Sequence, residues 1–478
     1  MRRHIGRSAG LEIRLRSGYA EGAVHWQRNV GFSMPAVGRR AAVMSSEAGC
    51  PPACPVSRPS EASILTCSLP RPGLSLLVCL LLAVAGCAGR PLGTMVPIAG
   101  TVAGASTVDM LVATTRAPSP VAGVVYTGDR GSTLSVDNIV VSVPPSANRN
   151  AGELTYPTAN AANPQTEFAV LKLAPMDDAA AQRWFDRVAG TKQGDVLIFV
   201  HGFNTTYEES VFRFAQIAHD TAASAAPILF SWPSHGSVFD YLYDRESANF
   251  SRNALEEIIE KAADDPRVRN VTVMAHSMGS WLTMEALRQL SIRRGKLPAK
   301  VRNVILASPD LDVDVFSHQL DEIDTQRTQL TIFASTDDRA LQVSRRLAGG
   351  VQRLGAIDVS QEPYRSGIEA KGVDVIDLSA LQSGSALNHS KFAESPQIVR
   401  LIGQRLIAGQ AIGEEGISLG ETLGAAALGT AQTVGSAAGA VVTAPGALIS
   451  QRGREEFGRQ VGNMGRNLGG TLQTATGQ

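Results

Sequence analysis

The chain has no cysteine after Cys87, because its five cysteines all precede residue 88. A disulfide framework and a cysteine-ligated metal site are therefore excluded for the rest of the chain. Its 44 basic and 44 acidic residues cancel, so the charge balance gives no indication of a nucleic-acid partner. Aromatic residues make up only 5% of the 478 residues, so a local concentration of them is informative.

A long apolar run is also missing from the one place where a membrane segment would be expected. The run at residues 74–86 follows Arg71 and is shorter than the roughly 20 residues that cross a bilayer. A basic flank, a short apolar run and small residues before a break are typical of a secretory signal. Val84-Ala85-Gly86-Cys87 resembles the lipobox of bacterial lipoproteins, in which the cysteine is lipidated. We therefore predict a lipoprotein signal at 71–87 with Cys87 as the lipidated residue; an ordinary signal peptide is the alternative.

The segments on either side of this signal follow from the same prediction. A signal peptide should begin near its own initiating methionine, so residues 1–70 are predicted to be a non-native or untranslated extension. Residues 88–107 are rich in Gly, Ala, Thr and Pro, which predicts a flexible tether. The residue after Cys87 is Ala88, whereas an aspartate at this position would resemble an inner-membrane retention signal. The predicted location is therefore the cell envelope, with the periplasmic face of the outer membrane favoured.

The carboxyl-terminal segment, residues 411–478, has a different composition from the middle of the chain. It holds 15 glycines in 68 residues, about three times the usual ~7%, and one aromatic residue, Phe457. We interpret it as a low-complexity, flexible tail. Glycines at intervals of four, as in Gly416, Gly420 and Gly424, leave close-packed or membrane-surface helices as the alternative.

Apolar stretches of strand length alternate with helical patterns through the middle of the chain. Continuous apolar strands separated by helices indicate a mostly parallel sheet that is covered on both faces. The sequence therefore predicts one α/β domain over residues 108–410. Its predicted strands are 109–115, 138–143, 168–173, 196–200, 227–230, 271–275, 301–307, 330–334 and 373–378, and its predicted helices include 207–223, 255–263 and 281–290.

The segment Ala275-His276-Ser277-Met278-Gly279 lies between a predicted strand and a predicted helix. It has the small-x-Ser-x-Gly pattern of a nucleophile elbow, with alanine in place of the first glycine. The small residues let strand and helix approach closely, which leaves the Ser277 hydroxyl exposed on a strained turn. The first N–H groups of the following helix then point toward negative charge that develops beside the serine. Such a pentamer alone is a weak signal for a nucleophile elbow. The predicted strand before it and the predicted helix after it make the interpretation persuasive.

A serine hydroxyl needs a general base, and a histidine is the usual one. His389 follows the last predicted strand and precedes a helix that begins at Ser395-Pro396, which is where an elbow fold has its base. His201 is predicted to be a buried structural residue and His276 to point away from the serine. His219 and His318 are predicted to be solvated. We therefore predict that His389 is the base.

The carboxylate that orients this histidine should follow the strand at 330–334. Two neighbouring aspartates, Asp337 and Asp338, stand there. Asp338 is favoured, with Asp337 and then Asp310, after the preceding strand, as alternatives. The chain order Ser277, Asp338, His389 is the order of α/β-hydrolases and differs from the two serine-protease orders.

Two backbone N–H groups are predicted to form the oxyanion hole. His201-Gly202-Phe203-Asn204 follows the apolar strand 196–200, and in elbow folds this loop supplies one donor. The residue after the nucleophile supplies the other. The predicted donors are therefore Phe203 and Met278, with Gly202 allowing the close approach of the backbone.

An aromatic-rich stretch at residues 231–244 is predicted to be a loop beside the substrate cleft. Four aromatics within a dozen residues are a concentration in this chain, and they predict either an apolar pocket or a small satellite core. Asp244 and Arg245 are predicted to pair at the surface or at the edge of the cleft.

Together these motifs resemble a family of uncharacterised bacterial α/β-hydrolases, esterase-like and often found on lipoproteins. The resemblance covers about residues 108–405, including Ala113-Thr-Thr-Arg116. It implies the α/β-hydrolase fold and a serine-hydrolase triad and leaves the substrate open. The matching segments are Phe199-Val-His-Gly-Phe-Asn204, Phe230-Ser-Trp-Pro-Ser234, Ala275-His-Ser-Met-Gly279, Ala307-Ser-Pro-Asp310, Ser335-Thr-Asp-Asp-Arg-Ala-Leu341 and Asn388-His389.

The predicted function is an envelope-anchored serine hydrolase, carboxylesterase- or lipase-like, that acts on an ester or thioester. No metal and no cofactor are implied, and the predicted partners are an ester substrate and, through Cys87, a membrane. An amidase or peptidase on the same fold is the alternative enzyme. A non-catalytic envelope protein that uses the fold for interaction is the competing class.

Overall fold

The computed structural model describes residues 90–158, 162–192, 194–222, 224–325, 327–381 and 385–403. Three predictions lie outside these ranges: the extension at 1–70, the signal segment with Cys87, and the tail at 411–478. Within the described ranges, no helix is both long enough and apolar enough to cross a bilayer.

Nine strands and nine α-helices make up the described domain. The strands are β1 Ser106–Pro118, β2 Tyr126–Val143, β3 Ala169–Pro175, β4 Asp195–Val200, β5 Ala226–Ser231, β6 Asn270–His276, β7 Val301–Ala307, β8 Gln329–Ala334 and β9 Asp374–Asp377. The helices are α1 Asp178–Thr191, α2 Tyr207–Asp220, α3 Tyr241–Asp264, α4 Met278–Arg294, α5 Val313–Leu320, α6 Arg339–Leu347, α7 Tyr364–Lys371, α8 Lys391–Glu394 and α9 Pro396–Leu401, with a 3-10 turn at Leu354–Ala356.

All nine strands form one sheet in the order β3-β2-β1-β5-β4-β6-β7-β8-β9. β2 pairs antiparallel with β1 on one side and with β3 on the other. All the other pairs in the sheet, from β1 with β5 to β8 with β9, are parallel. This confirms the predicted mostly parallel sheet. The parallel strands therefore end along one edge, here called the carboxyl edge, and the loops after them meet there.

The sheet is covered on both faces, as its sequence pattern predicts. All six residues of β4 and all six of β5 are buried, which is why these strands read as continuous apolar runs. One apolar core lies between the sheet and helices that include α3 and α4. The other includes the apolar face of α2 and side chains of α8 and α9. Helix α2 begins with a capping box, in which Thr206 and Glu209 satisfy each other's backbone N–H groups.

The first described residues are packed against the domain, which corrects the predicted flexible tether at 88–107. Residues 90–105 contain no helix or strand, but Met95 is buried in the second core. The Ile98 N–H donates to the Val170 carbonyl oxygen at 2.8 Å. The guanidinium of Arg90 donates to the Asn204 side chain at 2.9 Å and to the Gly236 carbonyl oxygen. A composition rich in small residues therefore does not mean a free linker here.

Candidate active site

Ser277 lies at the sharp turn between β6 and α4, in a backbone conformation that few residues other than glycine adopt. Its φ is 53° and its ψ is −123°, which is strained for a residue with a Cβ atom. Backbone hydrogen bonds hold this conformation. The Ser277 N–H donates to Ala307 at 3.0 Å, and its carbonyl oxygen accepts from Asp310 at 3.1 Å. The strain is that of the predicted nucleophile elbow.

Two glycines make the close approach at this turn possible. A Cβ atom at Gly279 would lie 2.3 Å from the His201 carbonyl oxygen and 2.7 Å from that of Val200. A Cβ atom at Gly202 would lie 2.9 Å from the Cβ of Ser277. All three distances are too short for a side chain at either glycine, so the loop after β4 and the elbow pack closely against each other.

The close approach of Gly202 leads to a testable prediction. If Ser277 is the nucleophile that the sequence predicts, Gly202→Ala should lower kcat/KM for its substrate by about 10- to 100-fold, because the new methyl group displaces either the loop after β4 or Ser277. Steady-state kinetics beside thermal unfolding would measure this. Gly367→Ala is the matched control, since a Cβ atom there, in helix α7, has no atom within 4 Å. Equal activity of the two variants would contradict the prediction.

His389 and Asp338 meet directly at the carboxyl edge. The Nδ1 atom of His389 lies 2.7 Å from the Oδ2 atom of Asp338. Asp338 is fully buried, and its Oδ1 atom accepts from the Leu341 N–H at 3.0 Å as the N-cap of α6. The helix start therefore fixes the carboxylate, and the carboxylate fixes the imidazole with its Nδ1–H toward Asp338.

The ring of His389 is next to the elbow. Its centroid is 4.7 Å from the ring of His276, and the Nε2 atom of His276 lies 3.3 Å from the His389 carbonyl oxygen. Among the described residues, Asp338 and His276 are the hydrogen-bonding partners of His389, and the Ser277 hydroxyl is not one of them. Catalytic hydrogen bonds of this kind often close only when substrate is bound.

The two alternative aspartates have other partners. Asp337 pairs with the buried ammonium of Lys391 at 2.7 Å and accepts from the Asn388 amide at 2.9 Å. Burial acts to raise the pKa of Asp337, but hydrogen bonds from Lys391 and Ser335 outweigh it and the net shift is downward. The Asp337–Asn388 bond steadies a residue with φ of 56° directly before His389. Asp337 therefore holds the backbone of this loop rather than the imidazole.

Asp310 is bonded to the backbone of the elbow, and its carboxylate has partners other than His389. Its carboxylate accepts from Ser344 at 2.5 Å and from the Tyr241 hydroxyl at 3.1 Å. The guanidinium of Arg353 is 3.2 Å from the same carboxylate. Because the Asp310 N–H donates to the Ser277 carbonyl oxygen, this buried polar cluster helps to hold the backbone of the elbow in place.

The two predicted oxyanion donors lie next to the elbow in the chain: Phe203 follows Gly202, which packs against the Cβ of Ser277, and Met278 directly follows Ser277. Met278 is the first residue of α4, so its N–H has no acceptor within the helix. In the loop after β4, the N–H groups of Asn204 and Thr205 donate to Asp244 and Ser234. No acceptor for the Phe203 N–H occurs in the part of the chain that the structure describes.

His201 is the buried structural histidine that the sequence predicts. It is 2% exposed and stacks on Trp232 with the ring centroids 4.8 Å apart. Its Nδ1 atom is 2.9 Å from the Gly202 carbonyl oxygen. Burial, and then the nearby charge of Arg116, lower the pKa of His201 to about 3, so this imidazole is neutral at neutral pH.

A stability prediction follows from this pKa. An unfolded histidine takes up a proton near pH 6.5, whereas folded His201 does so near pH 3. The free energy of unfolding should therefore fall by about 1.4 kcal/mol per pH unit from this residue as the pH drops from about 6 toward 3. Urea unfolding at several pH values in this range would measure the slope. We expect a shallower slope in His201→Gln, and an unchanged one in His318→Gln, whose side chain is 87% exposed. Equal slopes in all three proteins would contradict the assignment.

Arg116 is a structural element of the site that sequence reasoning did not single out. It is 1% exposed, and its guanidinium donates to the carbonyl oxygens of Thr205 at 2.8 Å and Ser234 at 2.9 Å. It thereby joins the loop after β4 to the loop after β5. Burial lowers the pKa of Arg116 to about 10, and the nearby carboxylates of Glu208 and Asp244 act against this. A single arginine in a strand pattern gives no sequence signal of such a role.

The aromatic stretch at 231–244 divides between core and surface, and part of it is helical. Trp232 is fully buried, and Tyr241 begins helix α3 and packs edge-on against Phe203 at 5.3 Å. Phe239 is 91% exposed. The predicted surface pairing of Asp244 with Arg245 is wrong. Asp244 is fully buried and accepts from Ser234, and burial raises its pKa.

Among the described residues, no group of three His, Cys, Asp or Glu side chains is arranged to hold a metal ion. The groups that the structure places near one another are a serine on a strained turn and an imidazole oriented by a buried carboxylate. This set can deliver a hydroxyl nucleophile to a carbonyl carbon and take up its proton.

Comparison with known proteins matches the same part of the chain. A family model described as alpha/beta hydrolase of unknown function (DUF900) matches residues 177–405. The match contains Ser277, Asp338 and His389 and begins after β3, later than the resemblance from residue 108. An uncharacterised protein of Nostoc sp. is 29% identical over 120 residues, which are 20% of this chain and 31% of that relative. The chain thus matches about a third of the length of this relative.

Proposed function

We propose that the chain is a serine hydrolase that cleaves an ester or thioester through an acyl-enzyme, because residues 177–405 match the model of an α/β-hydrolase family of unknown function. The observation that carries the proposal is the 2.7 Å contact of His389 with buried Asp338, beside the strained turn at Ser277. An ordinary βα turn requires neither a residue with positive φ nor an oriented imidazole.

In the acylation step, the Oγ atom of Ser277 attacks the carbonyl carbon of the substrate. Its proton moves to the Nε2 atom of His389, and the Asp338 carboxylate stabilises the imidazolium. The carbonyl oxygen becomes an oxyanion that accepts hydrogen bonds from the N–H groups of Phe203 and Met278. When the tetrahedral intermediate collapses, the alcohol or thiol leaves with the proton from Nε2. Ser277 then carries the acyl group.

Deacylation repeats these steps with water as the nucleophile. His389 takes a proton from the water, whose oxygen attacks the acyl carbon, and then returns that proton to the Oγ atom of Ser277. The acid product leaves and the hydroxyl is restored. The same oxyanion donors serve both half-reactions because the acyl carbonyl keeps its position.

The test is hydrolysis of p-nitrophenyl esters of increasing acyl length by the full chain, beside covalent labelling with a fluorophosphonate probe. We expect turnover with a burst of p-nitrophenol, labelling at Ser277, and an acyl-length optimum that reports the size of the acyl site. Absence of both turnover and labelling would overturn the proposal. It would favour a non-catalytic role for the same fold.

We also propose that the chain is anchored in the cell envelope by a lipid on Cys87. The proposal rests on the lipobox-like sequence Val84-Ala85-Gly86-Cys87 behind a short apolar run. Metabolic labelling with an alkyne fatty acid in a bacterial host should label the wild type and not Cys87→Ser. Equal labelling of the two proteins, or absence of label from both, would overturn the anchor.

A further inference from the structure

Arg90 ties the beginning of the described chain to the active-site edge of the sheet. Its guanidinium donates to the Asn204 side chain at 2.9 Å and to the Gly236 carbonyl oxygen, and it lies 3.7 Å from Glu209. Asn204 directly follows Phe203, whose N–H is a proposed oxyanion donor. Gly236 belongs to the loop between β5 and α3. The chain therefore enters the domain beside the catalytic loops.

The position of Arg90 limits where a lipid on Cys87 could be. Two residues, Ala88 and Gly89, lie between Cys87 and Arg90, which makes three Cα-to-Cα steps, and an extended chain covers about 3.6 Å per step. Three steps of extended chain span at most about 11 Å. A lipid on Cys87 would therefore be held near the carboxyl edge, where Arg90 bonds to Asn204 and Gly236.

The same edge exposes large apolar side chains, here called the apolar rim: Leu92, Val238, Phe239 and Leu242. Their exposed fractions are 68%, 62%, 91% and 74%. Single exposed apolar residues are common on soluble proteins, but these four lie on two short segments that the contact between Arg90 and Gly236 joins. Next to the rim, Tyr241 packs on Phe203, so the rim borders the proposed catalytic site.

We propose that the apolar rim is the surface by which this protein docks on a phospholipid membrane, so that the catalytic cleft opens toward lipid and takes an acyl ester from the membrane. This inference rests on the proposed function for its substrate and on Cys87 and Arg90 for its orientation. Aromatic and aliphatic side chains at an interface bind by burying apolar area, and a lipid held near Arg90 keeps that area at the surface.

The docking surface can be tested without the lipid anchor and without catalysis. The full chain with Cys87→Ser is floated with vesicles of phosphatidylethanolamine and phosphatidylglycerol. Adding Phe239→Ser and Leu242→Ser should reduce the floated fraction by about fivefold or more. Ile292→Ser is the matched control, because Ile292 is 52% exposed near the carboxyl end of α4, far along the helix from Ser277. It should float like its parent.

Failure of the Cys87→Ser protein to float, or an equal loss with Ile292→Ser, would overturn the docking surface. If the Cys87→Ser protein is a dimer, and Phe239→Ser with Leu242→Ser dissociates it without changing flotation, the apolar rim is instead an interface with a second copy of the chain. Sedimentation velocity without vesicles measures this second outcome.

The substrate part of the inference has its own readout. Turnover of a fluorogenic long-chain ester dispersed in the vesicles is divided by turnover of soluble p-nitrophenyl butyrate. We expect this ratio to fall about tenfold in Phe239→Ser/Leu242→Ser and to hold in Ile292→Ser. A constant ratio with reduced flotation would overturn the membrane substrate while the docking surface stands. If neither ester is hydrolysed and the fluorophosphonate does not label the wild type, the proposed function fails, and flotation still decides the surface.

Discussion

Ser277→Ala is expected to lower ester turnover by about 10⁴- to 10⁶-fold and to abolish fluorophosphonate labelling. The reason is that the hydroxyl oxygen forms the covalent intermediate, so no neighbouring group can replace it. The fold should survive the change, since backbone groups make the hydrogen bonds that hold residue 277. Alanine at this positive φ is strained in the same way as serine, which keeps the two proteins comparable. Steady-state kinetics and gel-based labelling measure both effects.

Ser280→Ala is the matched control for this variant. Ser280 is also buried, and it lies three residues further along in helix α4, where its hydroxyl donates to the Ala275 carbonyl oxygen at 3.3 Å. We expect its turnover to stay within about threefold of wild type, because it loses one weak internal hydrogen bond. Residual labelling in Ser277→Ala, or inactivation by Ser280→Ala alone, would argue against Ser277 as the nucleophile.

The second large effect is expected from Asp338→Asn, which should lower kcat by about 10⁴-fold. Asparagine keeps the shape but can present an N–H toward the Nδ1 atom of His389, which then favours the wrong tautomer for taking a proton at Nε2. It also removes the charge that stabilises the imidazolium. The cap on helix α6 is retained, because the Asn side-chain oxygen can still accept from Leu341.

The neighbouring Asp337→Asn should behave differently, and the pair forms an internal control. Its main effect should be on stability, with a loss of about 2 kcal/mol, because the buried Lys391 ammonium exchanges a half-exposed carboxylate partner for a neutral amide oxygen. Turnover should fall by about tenfold, since Asn388 before His389 is held less firmly. Urea unfolding beside kinetics separates the two effects. The reverse pattern, with Asp337→Asn the more deeply inactive and Asp338→Asn the less stable, would exchange the two roles.

Much of the fold could be predicted because each parallel strand is an apolar run between turn residues. The predicted strands all lie within or overlap the strands of the sheet. The sequence does not predict the first two thirds of β2, since residues 126–137 are partly exposed and polar. The first four turns of α3 were missed as well, because residues 241–254 mix aromatic, charged and small residues without a clear apolar stripe.

The sequence motifs predict the candidate site residues, but they do not predict the buried residues that hold them in place. Sequence spacing brought Ser277 and His389 to one edge, yet it could not separate Asp337 from Asp338. That choice depends on the start of helix α6, which turns one carboxylate toward the imidazole and the other toward Lys391. Isolated buried charges such as Arg116 and Lys391 carry no periodic signal, because burial of a charge depends on partners that are distant in sequence.

The place of β1 in the sheet has a consequence for how the chain folds during its synthesis. β1 pairs with β2 next to it in sequence, but its other edge pairs with β5, as in the register of Leu111 with Ile228, which is 228 − 111 = 117 residues later. A ribosome adds about 5 to 20 residues per second, so this apolar edge waits roughly 6 to 23 s for its partner to be made. An unpaired strand edge of this kind invites pairing with other chains. A chaperone that covers the nascent hairpin of β1 and β2 during this interval would therefore protect the chain from pairing with others.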